Sequence, residues 1–349
     1  MESPQPRLLV ALAPRPELDH AFADLLPDVP WAYLERGPDR RGVEALLVGS
    51  FARGFPEFDP STTPALRFVQ RIFTGLDGLP FARFPEHVAV AGNVGAFAPF
   101  VSEHAVTLAL ATARDLRAAH EMVRTGRLRP PPDQRLLYES TVLILGYGEI
   151  GRAIGARVRA FGAHVNALNR DGAPADGAER VFPADLLHQA LAEADFVFEA
   201  RPLTSHTVGS LGAPEFAVMR PKAVLVNIGR AGTIDEAALY RHLQGHPDFR
   251  AAIDVWWSED YAKDTLSSRF PFADLPNFVG TPHCAGYAPQ AEVRAARMAI
   301  ENVARFFRDG RPAYTVDRSE YQDQGENSTP TGTPAAPGGT GGTSAVLRR

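Results

Sequence analysis

Short, wholly apolar runs alternate with longer amphipathic stretches along most of this chain. Leu8-Leu9-Val10-Ala11-Leu12, Ala45-Leu46-Leu47-Val48, Arg67 to Phe73 and Val88-Ala89-Val90 are predicted strands. Between the first two, Leu18, Phe22, Leu25 and Leu26 fall at helical spacing and predict a helix over 17–26. A long Ala- and Leu-rich helix is predicted from near Ser102, with Ser102 as its cap, and it ends before the prolines at 130–132. A second, more regular series of strands follows at 141–145, 164–168, 196–200, 224–227, 251–255 and 278–279. Helical patterns separate them, one opening at the capping box Thr233-Ile234-Asp235-Glu236. A last helix, Pro289 to Arg308, carries an apolar stripe at Val293, Ala296, Ile300, Val303 and Phe307. Strands joined by helical crossovers imply parallel sheets and an α/β, doubly wound architecture.

After Tyr321 the pattern stops. Residues 322–349 hold 16 Gly, Pro, Ser or Thr among 28 and no aromatic residue, so a disordered tail is expected. The 349 residues suggest two domains. A net charge of −5, from 36 basic and 41 acidic side chains, offers no electrostatic footprint for nucleic acid or an anionic membrane. No apolar run is long enough to span a bilayer, and the polar start of the chain does not resemble a signal peptide, so a cytoplasmic protein is expected. One cysteine, Cys284, excludes disulfide frameworks and Cys-based zinc sites, and no metal is expected. Lys222 and Lys263 are the only lysines, which leaves few candidates for Schiff-base chemistry.

The chemistry begins at Gly146-Tyr147-Gly148-Glu149-Ile150-Gly151, which follows a predicted strand and opens a predicted helix. In that context the first glycine permits a tight turn, the second admits a pyrophosphate to the backbone, and the third lets helix and strand pack closely. The helix N-terminus adds N–H donors and positive dipole charge. An acid is expected some 20 residues on, to accept from the ribose 2′-hydroxyl. The chain has Asn169 and Arg170 there, followed by Asp171. A neutral residue beside a cation favours NADP over NAD.

Arg230, Glu259 and His283 stand at or near the ends of successive predicted strands, where open α/β sheets bind ligands. Each alone is an ordinary loop residue. With the glycine loop, their order and spacing resemble the D-isomer-specific 2-hydroxyacid dehydrogenases, from about Arg7 to Asp317. The strongest stretches are Gly146–Gly151, Pro202 to Thr207, Val226–Leu239 and Ala251–Gly286.

That resemblance implies a Rossmann dinucleotide-binding domain, 101–287, inserted into a discontinuous flavodoxin-like substrate domain, 7–100 and 288–318. It implies His283 as the general acid or base, Glu259 as its hydrogen-bonding partner, and Arg230 as the fork that holds a 2-oxo acid. Thr74, Gly75 and Leu76 match the substrate-carboxylate loop, and Asp254 matches the residue that holds the nicotinamide carboxamide. Pro202, Thr207, Ile228 and Gly229 fall at cofactor positions. Arg201 is either a second 2′-phosphate ligand or the partner of Glu199. Asp260 follows Glu259 where the family usually has proline, so a differently shaped loop is expected. Thr74 stands where phosphite-oxidising members carry lysine, and Glu259 where formate members carry glutamine; both argue against those substrates.

The expected activity is hydride transfer between NAD(P) and a 2-oxo or D-2-hydroxy acid. Phe51, Phe55, Phe97 and Phe100 are candidates to shape the substrate pocket. Two other readings stay open: a dinucleotide-sensing, corepressor-like protein, and a methyltransferase holding S-adenosylmethionine. The family's dimer contact corresponds to residues 101–137, so a homodimer is expected.

Overall fold

The computed structural model describes residues 5–49, 59–129, 133–261 and 263–321. Phe51, Phe55 and the tail 322–349 lie outside the described residues.

The first sheet comprises β1 (Leu8–Ala11), β2 (Trp31–Tyr33), β3 (Ala45–Val48), β4 (Phe68–Arg71) and β5 (Ala89–Ala91). All neighbours are parallel, in the order β2-β1-β3-β4-β5. That is the flavodoxin-like order. Side chains alternate across it. Leu8, Val10, Leu47 and Phe68 share one cluster with α1 (Pro16–Leu25) and a C-terminal helix, Pro289–Asp309; Leu9, Leu46, Val48 and Val69 share the other. Burial on both faces explains why these strands read as continuous apolar runs.

Two helices lead out of this sheet, α2 (Ala98–Ala113) and α3 (Leu116–Arg124). The second sheet then forms from β6 (Thr141–Leu145), β7 (His164–Leu168), β8 (Arg180–Phe182), β9 (Phe196–Glu199), β10 (Val224–Asn227), β11 (Arg250–Ile253) and β14 (Phe278–Gly280). A small antiparallel hairpin, β12 (Ser258–Asp260) with β13 (Thr265–Ser267), precedes β14. The helices are α4 (Glu149–Ala160), α5 (Leu187–Glu193), α6 (Ala213–Val218), α7 (Glu236–Gly245) and the returning α8 (Pro289–Asp309).

The seven strands run parallel in the order β14-β11-β10-β9-β6-β7-β8. The order reverses between β6 and β9, the switch point where doubly wound sheets bind dinucleotides. The whole is a Rossmann sheet beside a flavodoxin-like one. Among the described residues, no helix is long and apolar enough to cross a membrane.

Several local expectations need correction. Ser102 does not cap α2: the helix starts four residues earlier, and the buried Ser102 hydroxyl donates back to the Ala98 carbonyl. The proline at its N-terminus suits the first turn, which has no intrahelical use for that N–H. Thr233 does not open α7 either; Asp235 caps it, accepting from Ala238 N at 2.8 Å. On α8, Val293 faces solvent, and Phe306 is the buried ring while Phe307 packs partly buried against the same cluster. β2 and β8 were not anticipated. Each has three residues and sits at a sheet edge, too short for a periodicity to show.

Candidate active site

The loops after β4, β10, β11 and β14 converge at the C-terminal edges of the two sheets. His283 lies three residues past β14, with φ +51°. A left-handed backbone is costly for a residue with a Cβ, on the order of 1–3 kcal/mol. The adjoining contacts hold it there. The buried Asp254 carboxylate accepts from Thr281 Oγ1 (2.6 Å), Cys284 N (2.9 Å) and Ala285 N (2.9 Å). Burial resists ionisation of Asp254, but these bonds, and one from His104, keep its carboxyl below the usual range. The geometry thus engages Asp254 with the loop that carries His283.

His283 Nδ1 lies 2.7 Å from Glu259 Oε2. A carboxylate only accepts, so the proton belongs on Nδ1 and Nε2 is left to face a ligand. Glu259 sits on β12, and its Oε1 accepts from Trp256 N at 2.8 Å. Burial works against its charge, yet the bonds from His283, Trp256 N and Tyr261 leave its carboxyl below the ordinary range. The loop where the usual proline is missing is therefore a hairpin, and the hairpin delivers Tyr261. Its hydroxyl is 2.7 Å from Glu259 Oε2 and 2.8 Å from His283 Nδ1. Burial and the neighbouring carboxylate push the Tyr261 phenol up, so it stays protonated and donates.

Arg230 arrives from the loop after β10. Nε donates to Asp77 Oδ1 at 2.9 Å and Nη1 to its neighbour's carbonyl, Gly229 O, at 2.8 Å. Nη2 lies so close to the Gly75 backbone that a Cβ on Gly75 would overlap it at 1.7 Å. Thr74 is fixed by a bond from Oγ1 to Asn93 O, and Leu76 is buried beneath the loop. Thr74, Gly75, Leu76 and Arg230 are thus brought together across two domains.

Sequence reasoning missed two charged residues here. Arg71, the last residue of β4, donates to Asp77 O at 2.9 Å, and burial lowers its guanidinium pKa to about 10. Burial resists the charge on Asp77, but Arg230 and Arg71 hold its carboxyl down. Two cations against one carboxylate leave this corner with an excess positive charge, suited to an anionic substrate. Asp77 follows directly on the Thr74-Gly75-Leu76 match and could have been found there. Arg71 gave no signal beyond ending a strand. His104, also missed, reaches from α2 to Thr281 Oγ1 at 3.0 Å.

The glycine loop has the form needed for a dinucleotide. Gly146 has φ +88°, and a Cβ on Gly151 would fall 2.2 Å from Gly146 O. Nothing lies within 4 Å of the Cβ position on Gly148, which caps α4, with Glu149 and Ile150 opening the helix. Open space over a helix N-terminus fits a diphosphate. Across from it Ile228 N donates to Glu199 O at 3.1 Å, and a Cβ on Gly229 would fall 2.8 Å from Arg201 O. Thr207 Oγ1 donates to Pro202 O at 2.6 Å and closes the turn after β9.

The adenosine end is arranged differently. The Asn169 side chain serves its own loop, Oδ1 accepting from Gly172 N (2.6 Å) and Nδ2 donating to Ala173 O (2.8 Å). Arg201 forms a forked ion pair with the wholly buried Glu199, which adopts the second of its two expected roles. Arg170 Nη2 pairs with Glu320 Oε1 at 2.8 Å. Of Phe97 and Phe100, Phe97 stacks on Phe73 with centroids 5.9 Å apart and packs against Gly286.

The chain matches known proteins of one family. Residues 106–285 match the model of the D-isomer-specific 2-hydroxyacid dehydrogenase, NAD-binding domain. The chain is 30% identical over 307 residues to D-3-phosphoglycerate dehydrogenase of Mycobacterium tuberculosis, covering 85% of this chain but only 56% of that protein. A solved structure described as a putative formate dehydrogenase from Pyrobaculum aerophilum is 33% identical, with a TM-score of 0.78 and coverage of 90% of this chain and 99% of the other. The NADPH-dependent glyoxylate/hydroxypyruvate reductase SmGhrA of Sinorhizobium meliloti, solved with NADP and sulfate, is 25% identical, with a TM-score of 0.76 over 91% of this chain and 99% of that one.

Proposed function

The chain belongs to the D-isomer-specific 2-hydroxyacid dehydrogenase family, and from that premise we propose that it interconverts 2-oxo acids and D-2-hydroxy acids with NAD or NADP. The observation that carries the reading is that Arg230, set against the Gly75 loop, stands near Tyr261, whose hydroxyl meets the Glu259–His283 pair. Glyoxylate, hydroxypyruvate and bulkier 2-oxo acids are the candidate substrates.

The nicotinamide, when bound, supplies or accepts the hydride. The chain's own residues do the rest. Arg230, steered by Asp77 and Gly229 O, turns Nη2 toward the Gly75 backbone and holds the substrate carboxylate and carbonyl oxygen. Arg71 adds positive charge behind it. His283 gives a proton from Nε2 to the carbonyl oxygen during reduction and takes one from the hydroxyl during oxidation. Glu259 holds the ring orientation and offsets the imidazolium charge. Such a preorganised set favours an enzyme over a dinucleotide-sensing binding protein. Gly146, Gly148, Glu149, Ile150 and Gly151 would hold the diphosphate, with Pro202, Thr207, Ile228, Gly229 and Asp254 lining the remainder of the cofactor cleft.

Arg170 reads the 2′-phosphate, so NADPH is the better cofactor. The test is an oxidation screen of NADPH and NADH against a panel of 2-oxo acids, repeated with Arg170→Ala. Loss falling mainly on NADPH supports this reading; no turnover of any 2-oxo acid overturns the activity. The chain also forms a two-fold homodimer through the segment 101–137, where Leu116, Val123 and Leu128 are exposed apolar residues on and after α3. Light scattering at micromolar concentration giving the mass of one chain would refute the dimer.

A further inference from the structure

The final described segment, 313–321, is anchored on the first sheet's side at both ends and touches the second sheet between those anchors. Val316 N donates to Val90 O at 3.0 Å. The Arg318 guanidinium donates to the carbonyls of Phe81, Phe84 and Pro85, each at 2.6 Å. The Tyr321 ring stacks on Phe81, with centroids 5.3 Å apart and planes 23° from parallel. Between the Arg318 and Tyr321 anchors, Glu320 reaches across to the Rossmann sheet. Glu320 O accepts from Ser205 N at 3.0 Å, in the turn after β9, and its carboxylate meets Arg170, in the loop after β7. The Glu320 side chain is only 17% exposed, whereas Arg170 is 75% exposed, so the carboxylate is the fixed member of the pair.

The end of β7 is where dinucleotide folds place the acid that accepts from the ribose 2′-hydroxyl. Asn169 lacks that charge and spends its side chain on its own loop. A carboxylate has nevertheless been brought to the same place from 150 residues away along the chain. We propose that Glu320 is a specificity-determining residue for the cofactor: it competes with a 2′-phosphate for Arg170, and it offers an unphosphorylated ribose the acceptor that Asn169 does not.

Both halves of that role follow from charge. A 2′-phosphate needs the Arg170 guanidinium and is repelled by a carboxylate held beside it. An NAD ribose has a hydroxyl to donate and gains from the same carboxylate. Arg170 pulls the chain toward NADP and Glu320 pulls it back. The inference rests on the reading that Arg170 faces the 2′ position.

The experiment measures dissociation constants for NADPH and NADH by fluorescence titration on the full chain, as wild type, Glu320→Gln, Arg170→Ala and the double variant. Binding is used so that the outcome does not depend on having found the substrate. Glu320→Gln should tighten NADPH about three- to tenfold, an exposed ion pair and one like-charge contact being at stake, and should weaken NADH. In the Arg170→Ala background the gain should be smaller, because only the like-charge contact is left to relieve. A Glu320→Gln variant with an unchanged NADPH-to-NADH ratio overturns the inference while leaving Arg170 its role. An equal gain for NADPH in both backgrounds overturns the competition. Arg170→Ala weakening both cofactors alike overturns the reading of Arg170, and the inference with it. Thermal melting of each variant separates a loss of binding from a loss of the segment's docking.

Discussion

The two ends of the cleft are built on opposite plans. At the catalytic end, charged groups are held by neighbours and still keep donors turned to a ligand: Arg230 retains Nη2 against Gly75, and His283 retains Nε2. At the adenosine end, the charges satisfy one another, Arg201 with Glu199 and Arg170 with Glu320. A preorganised site keeps its strong donors aimed at where charge will develop, because reorganising them during reaction would cost rate. A recognition site faces no such demand; its charges can rest in internal pairs that a ligand exchanges. The difference teaches that a basic residue at a cofactor position in the sequence is not by itself a free ligand.

The largest effect should come at the catalytic end. His283→Ala removes the group placed to move the proton, and turnover should fall roughly 10²–10⁴-fold. Cofactor affinity should hold, because His283 lies beyond the glycine loop. Steady-state kinetics with parallel cofactor titration checks both; a variant within a few-fold of wild type would dissolve the contrast drawn between the two ends.

At the other end the largest effect should be on stability. Glu199 is fully buried and accepts from the backbone N, Nε and Nη2 of Arg201. Glu199→Ala would leave that guanidinium buried with no counter-charge, which typically costs about 3–5 kcal/mol. Denaturant unfolding measures it. A loss under 1 kcal/mol would mean that Arg201 swings out to solvent, and so could serve the cofactor after all.

Gly75→Ala distinguishes geometry from stability within the catalytic corner. The added methyl would overlap Arg230 Nη2, the far end of a flexible side chain, so the guanidinium can shift without disturbing the core. The melting temperature should therefore stay within about a degree or two, while kcat/KM falls about 10–100-fold, since small misplacements of a substrate-holding group are that expensive. Matched losses of stability and activity would mean instead that the Thr74–Leu76 loop has collapsed.

Legibility in the sequence follows the same division. The two sheets could be read because strands buried on both faces are unbroken apolar runs, and the glycine loop because its spacing has one steric purpose. The hairpin of β12 and β13 could not: Ser258, Glu259 and Asp260 are polar, and their pairing with Thr265 to Ser267 is a matter of register across a turn. Tyr261 was lost with it. Glu320 was invisible for another reason, because its partner Arg170 is 150 positions away and nothing local marks the contact. Asp254 was legible as a strand-end acid, but not its bonds to Thr281, Cys284 and Ala285.

The smallest effect, and the sharpest probe of the catalytic end, concerns Tyr261. Its hydroxyl and His283 Nδ1 both donate to Glu259 Oε2. Burial raises the Glu259 carboxyl, and the donors around it more than offset that, so its pKa lies below the ordinary value. A carboxyl depressed in this way stays ionised as the pH drops and loses its role only on falling through the lowered pKa. Activity needs the carboxylate, because a protonated Glu259 no longer favours the oriented, protonated imidazole. Tyr261→Phe removes one donor and keeps the ring. The acid limb of the kcat/KM profile should therefore move toward higher pH, by about one to two units, which is the scale of one hydrogen bond to a charged group. The rate at the pH plateau should change only a few-fold, with the alkaline limb in place. A uniform loss at every pH would assign Tyr261 to packing alone. An acid limb that shifts with the plateau intact would show that the hairpin replacing the usual proline has become part of the acid–base machinery.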